Sequence, residues 1–325
     1  MTMLLHPALV LIAAASFAAL TRGRARQVGL VLVTLASLIA AFALPDGDQG
    51  VVELAGQGLV LLRVDPVSRF FGLIFTAIAF IGTIYGLHID RSGEHFTKLI
   101  YAAGALTVVY AGDWLTVFAG WELMAITSLA LIWFGGTTRA RMAGFRYIYV
   151  HLTGGSLLFS GIALLWASSG ELTLTRLSLG AGFASGLILA GVLVNAAVPP
   201  VHAWLTDAYP EASVTGTVFL SAFTTKTAVY LLIRVFPGTE ALMWAGAIMA
   251  VYGALFAVLE NDIRRLLSYH IISQVGYMVA GVGMGTALAV NGAAAHAFSH
   301  ILYKALLLMG AGAVVQATGR KKLTE

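Results

Sequence analysis

The apolar positions of this chain come in long unbroken stretches rather than in alternation. Runs of about 20 apolar residues, the length that crosses a hydrocarbon core as a helix, recur from one end to the other. They predict about eleven spans, near 3–20, 27–44, 66–87, 97–112, 114–134, 145–168, 181–204, 212–235, 240–259, 265–284 and 288–317. Pro45–Asp65 is of another kind. It is polar, contains glycines and holds two short apolar runs, VVEL and LVLL, which read as a small extramembrane hairpin or loop. The expectation is an all-α polytopic transmembrane helix bundle, a single membrane domain over residues 1–325.

Composition supports that class. Of 325 residues, 59% are hydrophobic and 10% charged, with a mean hydropathy of +0.89, whereas a soluble domain carries about 25% charged residues. The absence of cysteine excludes thiol-ligated clusters, CxxC redox pairs and disulfides within the chain. No GxGxxG or P-loop pattern stands between a strand and a helix. No nucleophile–base pair with an orienting third group is visible. No cofactor is therefore expected, and no enzyme activity independent of other subunits.

The formal net charge of +4 sits in loops and does not point to nucleic acid. With the N-terminus outside, the inside loops contain Arg22, Arg24, Arg26, Arg91, Lys98, Arg139, Arg141, Arg146, Arg264, Arg265 and the Arg320-Lys321-Lys322 tail. The outside loops hold little more than Arg63, Arg69, Arg176 and Arg234. This asymmetry predicts an inner (plasma) membrane protein with N-terminus out and C-terminus in. Met3–Leu20 reads as a retained span rather than a signal peptide, because no basic n-region precedes it and no cleavage site follows.

Gly191–Arg234 departs from the pattern. An apolar helix meets Pro199-Pro200. His202, Trp204 and an acidic turn with Asp207 and Glu211 follow, and then a second apolar helix carries Lys226 near its middle. Proline removes a backbone donor and blocks the helix behind it. In hydrocarbon the freed carbonyls must be satisfied by neighbours or by water in a cavity. A lysine at a helix centre costs about 2.5–3.5 kcal/mol on insertion scales. Break and cation together predict a hydrated, charge-bearing place inside the membrane.

Nearly every charged residue falls at a span end, and Glu122, Lys226 and Lys304 do not. Intramembrane ionisable residues are costly and mark function by default. Glu122 reads as a proton-accepting carboxylate whose charge is switched by moving a cation, or as a structural carboxylate bonded to a neighbouring helix. Lys226 reads as a proton carrier, or as a lysine snorkelling to an interface. His296, His300 and Lys304 stand at i, i+4 and i+8, which puts three titratable groups on one helix face. A proton wire fits that spacing. Structural packing is a second reading, and a metal site at the histidine pair a third; no carboxylate or cysteine on this helix would complete it, and no metal is expected.

His202 is placed to bridge Lys226 to the cytoplasmic side or to bond a helix end, and His270 to relay or to pack. His88 and His95 read as solvated loop residues, while His6 and His151 give no specific signal. The glycine-rich pieces GAGFASG and GVGMG read as close helix packing.

Four stretches carry a resemblance: GWELMAITSL (120–129), VPPVHAWLTDAYPEASVTGTVFLSAFTTKTAVYLLIR (198–234), ENDIRRLLSYHIISQVGYM (260–278) and HAFSHILYKALLLMGAGAV (296–314). In this order they resemble the proton-translocating membrane subunits shared by respiratory complex I and Mrp-type cation/proton antiporters, along essentially the whole chain. The FTTK form and the DAYPEA turn look most like the Mrp D-subunit branch. The resemblance implies inverted repeats with broken helices near the midplane: N-terminal helices and hairpin in 1–96, a first repeat in 97–236 and a partial second repeat in 240–325. It also implies that Glu122, Lys226, Lys304 and His300 match the family's buried charge chain.

There are two departures. Many relatives carry a lysine nine residues before the tryptophan of the broken helix, where this chain has Asn195; that removes the usual partner of Glu122 and leaves Lys226 to take over the pairing. Relatives also continue beyond the HxxxK helix, so the second repeat is expected to be cut short.

The resulting expectation is a proton-conducting subunit of a multisubunit monovalent cation (Na+)/proton antiporter, working with other membrane subunits in the lipid bilayer. The proton path would be drawn from Glu122, Lys226, Lys304, His300, His296, His202, His270 and Asn195. The alternatives are a proton-pumping subunit of a complex I-like oxidoreductase or membrane hydrogenase, whose redox chemistry would lie in other subunits, and a non-conducting scaffold or fragment.

Overall fold

The computed structural model describes residues 6–54 and 56–325. Its helices are α1 (Pro7–Leu20), α2 (Gly23–Ala43), α3 (Pro66–Tyr85), α4 (Ser92–Tyr110), α5 (Trp114–Trp133) and α6 (Thr138–Ser169). These are followed by α7 (Phe183–Asn195), the short α8 (Ala203–Ala208), α9 (Val214–Val235), α10 (Glu240–Leu259), α11 (Ile263–Met284) and α12 (Ala287–Thr318). By length and composition α2, α3, α5, α6, α9, α10 and α12 can each cross a membrane, and α1 and α7 are shorter apolar helices. The chain is a polytopic helical membrane protein. Of the span predicted to begin at Met3, residues 3–5 lie outside the described residues.

The hairpin forms as expected. Strands β1 (Gly47–Leu54) and β2 (Gln57–Val64) pair antiparallel, with Val52 opposite Leu59. Its outer strand is fastened by the Arg63 fork on Asp48, at 2.8 and 2.9 Å, which holds the Asp48 carboxyl below the usual carboxylate range. Its inner strand meets the bundle where Gly112 N donates to Val60 O at 2.8 Å.

Asp65 then does two things. It caps α3 by accepting from the Val67 and Ser68 amides, as an N-terminal carboxylate should. It also binds Arg234 of α9 at 2.5 Å. Arg234 Nε donates to Tyr230 Oη at 2.9 Å, and Tyr230 Oη donates to Val109 O at 2.5 Å. This latch joins hairpin, α3, α4 and α9 at one end of the bundle.

α9 is the axis of the molecule. All its residues except Val214 and Arg234 are buried, and it packs against α3, α4, α5, α7, α11 and α12. A helix apolar all round belongs in a core. Here Thr215, Thr217, Ser221, Thr224, Thr225, Lys226 and Thr227 are buried with the apolar residues, so neighbouring helices must supply polar partners.

The proline break lies where the sequence placed it, and its carbonyls are covered. α7 ends at Asn195, ahead of Pro199-Pro200. Val198 N reaches back to Leu193 O at 3.2 Å and Ala197 N to Val194 O at 3.1 Å, with Ala197 left-handed at φ 57°. This is the ending that usually takes glycine. Trp204 Nε1 donates across the break to Val194 O at 3.0 Å. The Trp204 ring packs edge-on to His151, Tyr147 and Tyr209.

Several local expectations are corrected. α4 begins at Ser92 and α6 at Thr138, so Lys98, Arg139, Arg141 and Arg146 are helical rather than loop residues. Glu94 in the first turn of α4 suits the positive helix end, and Thr137 caps α6 through Ala140 N at 2.9 Å. His95 is not solvated: it is buried on α4 with Nε2 2.8 Å from Ile89 O. His88 is exposed as expected. Of the glycine-rich pieces, Gly283 in GVGMG does pack on the backbone of α10 at Met243. In GAGFASG, Gly180, Gly182 and Gly186 meet nothing within 4 Å. Gly182 instead serves the turn, with φ 121°.

Two outcomes check this account. Arg234→Ala removes charge-assisted hydrogen bonds worth about 1.5–3 kcal/mol and should lower the melting temperature of the detergent-solubilised protein. Ala197→Gly relieves left-handed strain of about 1 kcal/mol and should raise it, since glycine adopts this conformation freely.

Candidate functional site

The predicted charged residues sit on four neighbouring helices. Lys226 is at mid-length of α9 and is 0% exposed, as are His300 and Lys304 on α12. Lys226 Nζ donates to Ser221 O at 2.7 Å and to Thr225 Oγ1 at 3.1 Å, both on its own helix. These bonds hold the ammonium where it has no carboxylate within 4 Å among the described residues.

Lys304 Nζ lies 2.5 Å from His270 Nδ1 on α11, with Leu267 O at 3.5 Å. His270 stands seven residues from the start of α11, about two turns from that end of the bundle. His296 and His300 stack obliquely with centroids 6.1 Å apart, and His300 is within electrostatic reach of both Lys226 and Lys304. Both ring nitrogens of His300, and His296 Nε2, are buried without a hydrogen-bond partner among the described residues. Lys226, His300, Lys304 and His270 are thus titratable groups on three packed helices, α9, α12 and α11.

Glu122 is on α5, half-buried, with Oε1 sealed from solvent and unpartnered. Lys226 does not take over its pairing, because the ammonium is turned onto its own helix at Ser221 and Thr225. The expected bridge from Lys226 through His202 is absent as well. His202 Nε2 lies 2.7 Å from Tyr252 Oη, and the ring packs on that tyrosine at 4.6 Å, so it faces α10. Asn195 is the last residue of α7, buried beside His151, with no well-formed hydrogen bond to Oδ1 among the described residues.

The structure adds a second buried cluster that the sequence reading assigned to loops. Glu94 on α4 accepts from Ser213 Oγ at 2.8 Å and from Thr215 Oγ1. Lys98, one turn on and 1% exposed, donates to Thr215 Oγ1 at 3.3 Å. Its Nζ lies against Gly86 at the C-terminus of α3, the negative end of that helix, and 5.7 Å over the Phe219 ring.

Arg264 on α11 donates to Ala212 O at 2.8 Å, Tyr209 O at 3.2 Å and Thr217 Oγ1. Together these groups fix the entry of α9 against α4 and α11, at the floor of a cleft of about 570 Å³ lined by Glu94, Glu211, Arg264 and Lys321. The signal in the sequence was the i, i+4 spacing of Glu94 and Lys98, in phase with Tyr101 on the buried face of α4.

Comparison with known proteins agrees with this geometry. Residues 111–325 match the family described as NADH:quinone oxidoreductase/Mrp antiporter, transmembrane. The chain is 32% identical over 311 residues to the Na(+)/H(+) antiporter D subunit of Alkalihalophilus pseudofirmus, covering 84% of this chain and 62% of that protein. It is 29% identical over 303 residues to the NADH-quinone oxidoreductase N subunit of Desulforudis audaxviator, covering 86% and 59%. The fold superposes on the Mrp complex from a Dietzia species with a TM-score of 0.87 and 27% identity, over 96% of this chain and 38% of that one. The chain thus spans about three-fifths of the length of the curated relatives it matches. With its buried lysine–histidine set, its broken helix and this match over residues 111–325, the chain belongs to the NADH:quinone oxidoreductase/Mrp antiporter membrane-subunit family.

Proposed function

We propose that this chain is the proton-conducting membrane subunit of a multisubunit monovalent cation (Na+)/proton antiporter. The observation that carries the reading is the set Lys226, His300 and Lys304, all buried, with the Lys304 ammonium on the half-buried His270 and no carboxylate within 4 Å of either lysine among the described residues. A lysine buried for structure alone would gain an acid partner. One held by backbone and hydroxyl oxygens can lose its proton and regain it. Protons would enter at the basic end near His270, pass Lys304 and His300 to Lys226, and go on to Glu122. His296 supports the set from the side. His202 and Asn195 have polar roles at the break. The likeness to the antiporter's D subunit supports cation exchange. The likeness to the oxidoreductase's N subunit supports a second reading, a proton-pumping subunit of a redox-driven complex.

The test is exchange in inverted vesicles holding the native assembly. Lys226→Met keeps the packing volume while removing a charge that costs about 2.5–3.5 kcal/mol to hold there. It should leave the melting temperature of the assembly unchanged or higher and lower proton-coupled Na+ exchange at least tenfold. Glu122→Gln should lose as much. Exchange within twofold of the unaltered assembly in both variants would sink the reading. Mass spectrometry of the same assembly separates the two readings: small hydrophobic subunits alone fit the antiporter, and cluster- or flavin-bearing chains fit the redox-driven pump.

A further inference from the structure

His151 lies outside the set that the sequence pattern marks, yet its surroundings are those of a working group. It is 1% exposed on α6. Its ring is stacked on Tyr147 with centroids 4.0 Å apart and set edge-on to Trp204 at 4.6 Å. Asn195, at the end of α7, lies beside it. One turn further along α6 stands Gly155, where a Cβ would collide with Glu122 Oε1. The Glu122 carboxylate therefore rests on α6 about 6 Å along the helix axis from His151. Glu122 Oε1, His151 Nε2 and Asn195 Oδ1 are buried without a well-formed hydrogen bond among the described residues, with the Asn195 amide facing the imidazole. Buried polar atoms on α5, α6 and α7 favour water over apolar filling.

The other side of the imidazole leads to α9. Tyr147 Oη donates to Ser128 Oγ at 2.8 Å and lies beside Thr224, whose amide donates to Tyr101 Oη at 3.0 Å. The next residue, Thr225, accepts from Lys226 Nζ. His151 and Tyr147 thus fill the interval between the Glu122 pocket and the hydroxyls that hold Lys226.

We propose that His151 relays protons between Glu122 and Lys226, a role that rests on the proton-conducting reading above. Lys226 in its ammonium form gives a proton, through the Thr225 and Tyr147 hydroxyls and water, to His151 Nδ1. The Nε2 proton leaves by water in the pocket to the Glu122 carboxylate. One N–H bond breaks at Lys226 and one O–H bond forms at Glu122, and the imidazole ends neutral in its other tautomer, ready to be reset by a ring turn. The groups facing it are Glu122 and Ser128 from α5, Tyr147 from its own helix, Asn195 from α7, Trp204 from α8 with Tyr209 behind it, and Thr224 from α9.

The experiment measures exchange per copy of the chain in the native assembly. His151→Asn keeps a polar side chain in the pocket and removes the ring that passes the proton. It should lower exchange about tenfold. Adding Asn195→His to it returns an imidazole to the same pocket from the facing helix and should restore exchange to within threefold. An unchanged rate in His151→Asn, with Glu122→Gln and Lys226→Met inactive, would overturn the relay and leave the proposed function standing. A loss in His151→Asn that Asn195→His does not restore also overturns it, because the pocket then needs the shape of His151 and not its proton. Full exchange in all of these variants would remove the proposed function itself.

Discussion

A helix bundle in hydrocarbon has to close every hydrogen bond from within, and in this protein that demand falls on α9. Six helices surround it, and polar partners reach it from α4, from α11 and from the start of α3. Thr215 joins Glu94 and Lys98, Thr217 and the turn before α9 take the Arg264 guanidinium, Thr224 meets Tyr101, and Arg234 closes on Asp65. The two ends of α9 are thereby fixed by charged clusters. Its middle is held by weaker neutral partners, and Lys226 is there.

The broken helix follows the same demand. Interrupting α7 frees carbonyls, and two of them are recovered by a local turn and by the Trp204 indole. The indole cannot do this without lying against Tyr147, His151 and Tyr209. Backbone repair and the assembly of a buried aromatic–imidazole group are therefore one event, which is why the break and the polar pocket coincide.

Element by element, the fold was legible in the sequence because an apolar run of span length has one stable solution in a membrane. The hairpin and the proline break were readable for the same reason: both violate the run. What the sequence did not reveal is which face a polar residue presents. Lys98 and Arg264 stand near span ends, where charges usually reach water, and only the packing of α9 against α4 and α11 shows that they turn inward. His95 was misjudged in the same way. Lys226 lies buried in mid-helix as its sequence position implied, and Glu122 is half-buried, but hydropathy carries no information about rotamers, and the Lys226 side chain turns to its own helix. His151 sits in an apolar, glycine-containing stretch with one aromatic neighbour a turn away, a pattern shared by ordinary core histidines.

α6 and α12 each run for 32 residues, about 48 Å of helix, against a hydrocarbon core about 30 Å thick. Neither can lie upright and stay immersed. The excess has to be taken up by tilt, by emergence into the headgroups, or by local thickening of the bilayer. Arg139 and Arg141 ride exposed on the first turns of α6, where emergence would bring them to phosphate. Because α6 also carries the helix face on which Glu122 rests, any tilt that fits α6 to the bilayer carries that face with it.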